Sequence, residues 1–130
     1  MYSIAILLLF FKVGYSCIPT QTVCSTCTTI YDTTCTGVSG GYGPPGCETE
    51  ADAGVSYTYG SAPGLAGLGS VCWNQLSCPS GSSNEYDTAT MGAVNGMQVA
   101  YCRESGAGAG NWFIQYMGAE EGLTRMRCTE

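Results

Sequence analysis

Residues 22–35 read TVCSTCTTIYDTTC and place cysteines at 24, 27 and 35 among threonine, serine and a single acid. Such a stretch grips a metal, shuttles electrons or staples a small fold. A redox centre sets its Cys-x-x-Cys at a helix start within a strand–helix–strand pattern. Here Cys24-Ser25-Thr26-Cys27 is followed by Thr28, Thr29, Ile30 and Tyr31, a β-prone run. A structural zinc site needs four ligands, as a rule a second close cysteine pair or two histidines. The chain has no histidine, and its other close pair, Cys72 and Cys78, has five residues between. Disulfide staples are the reading that remains.

The amino terminus agrees with it. Ile4 to Phe11 is an unbroken apolar run, IAILLLFF. It is too short for a membrane span, which needs about 20 residues. It suits the apolar centre of a secretory signal peptide, with Gly14 and Ser16 as small residues before cleavage at Cys17. We therefore read 1–16 as a signal peptide and 17–130 as a single cysteine-rich domain, secreted and extracellular, where thiols pair. No second apolar run offers a membrane span.

The domain that remains has three basic residues, Arg103, Arg125 and Arg127, against ten acids, and no lysine. An acidic chain without a basic patch has no electrostatic footprint for nucleic acid or anionic lipid. Its Leu, Ile, Val and Phe number 14 in 114 residues, below the roughly 20% at which a highly charged chain is expected to fold on burial alone. Ten aromatic residues help, since each buries about 150–250 Å². Even so, a cross-link that closes a loop of 15–100 residues adds about 3–5 kcal/mol. A typical domain has a net stability of only about 5–15 kcal/mol. The bridges decide whether the chain folds.

Nine cysteines are candidates: Cys17, Cys24, Cys27, Cys35, Cys47, Cys72, Cys78, Cys102 and Cys128. Eight alone permit 105 pairings, so connectivity stays open. The odd one, with Cys17 and Cys35 as candidates, is a free thiol or a link to another chain, which allows a disulfide-linked homodimer.

The regular structure expected is β. Ser25 to Tyr31 and Ser70 to Asn74 read as short strands, and Val55, Tyr57 and Tyr59 alternate with polar residues. Cys35 to Cys47 (CTGVSGGYGPPGC), Gly60 to Gly69 and Cys78 to Asp87 read as loops. At the end, Met97, Val99 and Tyr101 alternate. A Ser105–Gly110 turn, a strand over Asn111 to Met117 and another over Leu123 to Cys128 follow. No segment has a helical period. The fold class expected is all-β, a small disulfide-stapled β-sandwich-like domain with long Gly/Pro/Ser-rich loops. Cys102 and Cys128 end the first and last of these three strands. In a plain meander the outer strands lie about 2 × 4.8 Å apart, beyond a disulfide's 4.4–6.8 Å between α-carbons. A 102–128 bridge thus requires strands that pair or face one another, and we expect that bridge.

The tail NGMQVAYCRESGAGAGNWFIQYMGAEEGLTRMRC resembles the closing segment of the C6 domain, a six-cysteine module of secreted nematode proteins. The matching positions are Cys24 and Cys27, Gly46-Cys47, Cys102, Trp112 to Gly118 and Cys128, over roughly 24–130. Cys17, Cys35 and one of Cys72 and Cys78 are extra to a six-cysteine set. The family is one of unknown function, so the resemblance implies an extracellular module and no activity.

Histidine triads and lysine nucleophiles are excluded by composition, and no acid sits in a recognisable motif. We expect no enzyme, no catalytic residue, no cofactor and no metal. Glu48, Glu50 and Asp52 alternate in an acidic loop that would suit calcium, but read as a solvated surface. The chain reads as a secreted, non-catalytic binding or matrix/adhesion-type module. Its partner would be an extracellular protein or glycan, met through Trp73, Trp112 and tyrosines unless those rings fill the core. A secreted toxin-like or antimicrobial effector is the alternative. No Asn-x-Ser/Thr sequon is present, while the Thr-rich start suits O-linked sugars.

Overall fold

A computed structural model describes residues 24–37 and 46–130. The expected signal peptide, Cys17 and most of the Cys35–Cys47 loop lie outside the described residues. Among the described residues seven strands form one antiparallel sheet: β1 (Thr58–Ser61), β2 (Ser70–Gln75), β3 (Ser83–Thr88), β4 (Gly92–Asn95), β5 (Val99–Cys102), β6 (Trp112–Tyr116) and β7 (Ala119–Thr129). Their order across the sheet is β1-β2-β5-β6-β7-β3-β4. Among the described residues the only helical piece is a 3₁₀ turn, Ala66–Leu68. The all-β expectation is borne out.

The eleven-residue β7 makes the architecture. Its first residues, Ala119–Gly122, pair with β6, and Leu123–Thr129 pair with β3. The register jumps from Asp87↔Arg125 to Thr88↔Leu123, leaving Thr124 as the extra residue of a β-bulge. A bulge bends and twists its strand, and here the sheet folds over at that point. Inward residues of β2, β5 and β6 (Cys72, Ala100, Cys102, Ile114) therefore share one core with Tyr86 of β3, Val94 of β4 and Met126 of β7. That is the sandwich-like arrangement. On the opposite face of β2 and β5, Val71 and Tyr101 are sealed by Ala62, Leu65 and Leu68 of the β1–β2 connection. The β5 strand is consequently buried on both sides, with Ala100 and Tyr101 both at 0% exposure.

Three expectations are corrected. Ser25 to Tyr31 is not a strand. Its amides at 25–27 are spent on a carboxylate, and only Tyr31 makes a bridge, parallel, to Met126. Cys78 to Asp87 is not a loop throughout, because β3 starts at Ser83 and lies between β7 and β4. Its inward face is mostly polar. Asn84 donates its amide to the Leu76 carbonyl and Thr88 its hydroxyl to the Gly92 carbonyl. The 102–128 bridge is absent: Cys102 joins Cys27, and Cys128 joins Cys78. The reason is the path of β7: Cys102 lies in the ladder with β6, whereas Cys128 lies on the part of β7 that has left β6 to pair with β3.

Candidate functional site

The Cys-x-x-Cys of the opening stretch is a clasp on the sheet. Cys24 bonds Cys72 on β2 and Cys27 bonds Cys102 on β5, with α-carbons 5.6 and 6.0 Å apart. Cys72 and Cys102 are directly opposed partners in the β2–β5 ladder, so both bridges land side by side. The turn between the clasp's cysteines is shaped by Glu104, just past β5. Its carboxylate accepts the amides of Ser25, Thr26 and Cys27 at 3.1, 2.7 and 3.0 Å and the Ser25 hydroxyl at 3.1 Å. Burial pushes the Glu104 carboxyl up, but these hydrogen bonds to its charged form outweigh that and hold it at about 2.

From the clasp the chain runs on as a ridge, Thr28–Thr33, across the split where β7 leaves β6. The Trp112 indole donates to the Thr28 carbonyl at 2.7 Å. The Ile30 amide donates to the Tyr57 hydroxyl at 3.1 Å. The Met126 amide donates to the Ile30 carbonyl, and the Asp32 amide donates to the Met126 carbonyl. Tyr31 is buried, its hydroxyl donating to the Glu48 carbonyl at 2.6 Å and accepting from the Cys128 amide.

Two hollows flank the ridge and share Asp32 and Thr33. One, about 360 Å³, opens between the ridge, Asn111–Trp112 and Leu123–Arg125. The other, about 620 Å³, opens towards Thr49, Glu50 and Val55. The first is mostly polar, lined by hydroxyls, an amide and charged groups, and the second is mixed, with Ala51 and Val55 beside Thr49 and Glu50. Asp32, with a side chain 5% exposed, anchors them. One of its oxygens accepts the Thr34 amide and hydroxyl, and the other takes Arg125 and Arg127 at 3.3 Å. Arg125 also pairs with Asp87, and Arg127 with Glu85. Burial raises the Asp32 carboxyl, but the Thr34 bonds and the two arginines prevail and leave it below its ordinary value. It is a fixed charge and a poor proton donor.

The remaining bridges are Cys35–Cys47 and Cys78–Cys128. Eight of the nine candidate cysteines are thus joined in pairs, and Cys17 lies outside the described residues. Trp112 is 4% exposed and stacks, tilted, on Tyr57. Tyr31, Tyr86 and Tyr101 are buried and Trp73 half-buried. The rings fill the interior. Glu48, Glu50 and Asp52 are not gathered: Glu50 accepts the Thr29 hydroxyl and Asp52 that of Thr49. Sequence reading missed Glu104, Asp32 and Arg125, because no motif marks a charged group whose partners lie 77 to 95 residues away.

A family model described as a Caenorhabditis protein of unknown function, DUF282, matches residues 19–130. No curated protein and no solved structure matches the chain.

Proposed function

This chain belongs to that Caenorhabditis family, the nematode C6 domain family, and from that premise we propose that it is a secreted, non-catalytic binding module of the extracellular matrix. The single observation that carries the reading is the polar cleft beside the Thr28–Thr33 ridge. The ridge that forms one wall is tied at its start by two disulfides to neighbouring strands. Such a site is preorganised, and preorganisation lowers the entropy cost of association. Hydroxyl, amide and guanidinium groups suit a hydrogen-bonding ligand, a glycan or an extracellular protein segment. Catalysis is disfavoured by the charges in the cleft, since Asp32 and Arg125 are occupied with each other. Secretion is favoured by the four bridges, which need an oxidising compartment, and by the apolar run at 4–11. Among the described residues no helix is long and apolar enough to cross a membrane.

The test is expression of the full-length tagged chain in a nematode, followed by fractionation of extracellular material. Retention with the insoluble matrix, lost on Thr33→Trp substitution that fills the cleft, is expected. A freely soluble protein that acts on other cells would replace this reading with the effector one. The odd cysteine belongs to the same proposal. With eight sulfurs paired inside the chain, Cys17 is the one left for a disulfide-linked homodimer, and a non-reducing gel showing only monomer rejects that link.

A further inference from the structure

We propose that the four cysteines of the clasp form a disulfide switch with two pairings. The first is Cys24–Cys72 with Cys27–Cys102, and the second is Cys24–Cys27 with Cys72–Cys102. Passing to the second removes the covalent tie between the ridge and the sheet. The interchange stands on the placement of the cysteines alone, and only its consequence for ligand binding rests on the cleft reading above.

Three features of the fold lead here. Cys72 and Cys102 are opposed across β2 and β5. Opposed residues of antiparallel strands have α-carbons about 4.5–5.5 Å apart, inside the 4.4–6.8 Å window of a disulfide. The second pairing therefore keeps the β2–β5 register unchanged. Cys24 and Cys27, separated by two residues, lie on a turn curled around Glu104, and both are already bonded to adjacent points of the sheet. Finally, the clasp is the direct covalent tie between the ridge and the sheet, so that the 24–27 pairing leaves the ridge held to it by hydrogen bonds, the Asp32 ion pairs and the packing of Ile30 and Tyr31. The other two bridges have no such geometry, since Cys128 faces Asn84 in its ladder and Cys47 faces Thr129.

The chemistry is thiol–disulfide interchange, catalysed by a small thiol such as glutathione. A glutathione thiolate attacks the Cys24 sulfur, which is half-buried where Cys72 is fully buried. A mixed disulfide forms at Cys24 and the Cys72 thiolate leaves. That thiolate attacks Cys102, forming Cys72–Cys102 and expelling the Cys27 thiolate. Cys27 then attacks the mixed disulfide, forming Cys24–Cys27 and returning the glutathione thiolate. Two protein disulfides are present before and after, and no oxidant or reductant is consumed.

The experiment incubates the oxidised full chain in a reduced/oxidised glutathione buffer at mildly alkaline pH, quenches with acid and maps the bridges by mass spectrometry. The expected result is joint appearance of Cys24–Cys27 and Cys72–Cys102 at unchanged intact mass, with Cys35–Cys47 and Cys78–Cys128 retained. Native bridges alone, with or without glutathione on Cys24, overturn the proposal, as does scrambling of all eight without preference. A C24S/C27S variant gives an independent reading. Cys72 and Cys102 should bond each other, whereas two titratable thiols at those positions in the folded variant would overturn the switch. Should that variant not fold, the map of the unsubstituted chain decides.

Discussion

Glu104 governs the opening stretch at the scale of single residues. A carboxylate that accepts three successive amides is stabilised in its charged form, and each charge-assisted bond is worth about 1.5–3 kcal/mol when both partners are withdrawn from water. The site is partly open to solvent, which reduces that value. We expect Glu104→Gln to cost about 1–2 kcal/mol at neutral pH by urea denaturation. The pH dependence has a definite sign. Folding lowers this carboxyl from 4.5 to about 2, so its contribution is complete above pH 4.5 and disappears as pH falls through about 2. Urea midpoints of the two chains should converge across that window, and a constant gap down to pH 2 would reject the assignment. Asp32 acts similarly but is buried beside Arg125 and Arg127. Its replacement by Ala strips both arginines of one partner and leaves the Thr34 amide and hydroxyl without theirs. A loss of about 2–3 kcal/mol in chemical denaturation is expected. Neither acid was legible in the sequence, where each is one of ten; Asp32 has a local partner in Thr34, but its arginine partners are distant in sequence.

Elements were legible where burial is apolar and obscure where it is polar. The β2, β5 and β6 strands carry Val71, Tyr101 and Ile114 at buried positions, and their β-branched and aromatic residues mark them as strands. The β3 strand, SNEYDT, has Tyr86 as its one apolar residue. It is held by Glu85 and Asp87, which pair with Arg127 and Arg125 across β7, and this cross-strand matching has no local signature. The Val55, Tyr57, Tyr59 alternation is half-buried as expected, yet ladder pairing begins only at Thr58. The β6–β7 hairpin turns on Met117 and Gly118, with φ of 50° and 81°. Two positive φ values in a two-residue loop mark a type I′ turn, whose preferred first residue is Asn. Met117 is 90% exposed and contributes little packing there. Met117→Asn should raise stability by about 0.5–1 kcal/mol, read as a higher melting temperature. A lower one would mean that the methionine side chain makes a contact worth more than the backbone strain.

Across the whole molecule, sulfur does two jobs. Among the described residues five half-cystines are buried, against six Leu, Ile and Val residues, so the bridges are core material as well as cross-links. That much followed from composition, because a chain this poor in aliphatic residues must be cross-linked to fold. The connectivity did not, since it depends on which strands stand between the cysteines. Loop length ranks the bridges. Cys78–Cys128 spans 50 residues and Cys35–Cys47 spans 12. The chain-entropy relation gives about 4 and 3 kcal/mol for loops of these sizes. A C78A/C128A chain should therefore be less stable than a C35A/C47A chain by about 1 kcal/mol in parallel urea titrations. The most direct test of the central claim is near-ultraviolet circular dichroism of the full chain after complete reduction at neutral pH and 25 °C. Loss of the fixed aromatic signal, with no cooperative urea transition left, is the result predicted. A reduced chain that keeps that signal and still unfolds in one sharp step would contradict it.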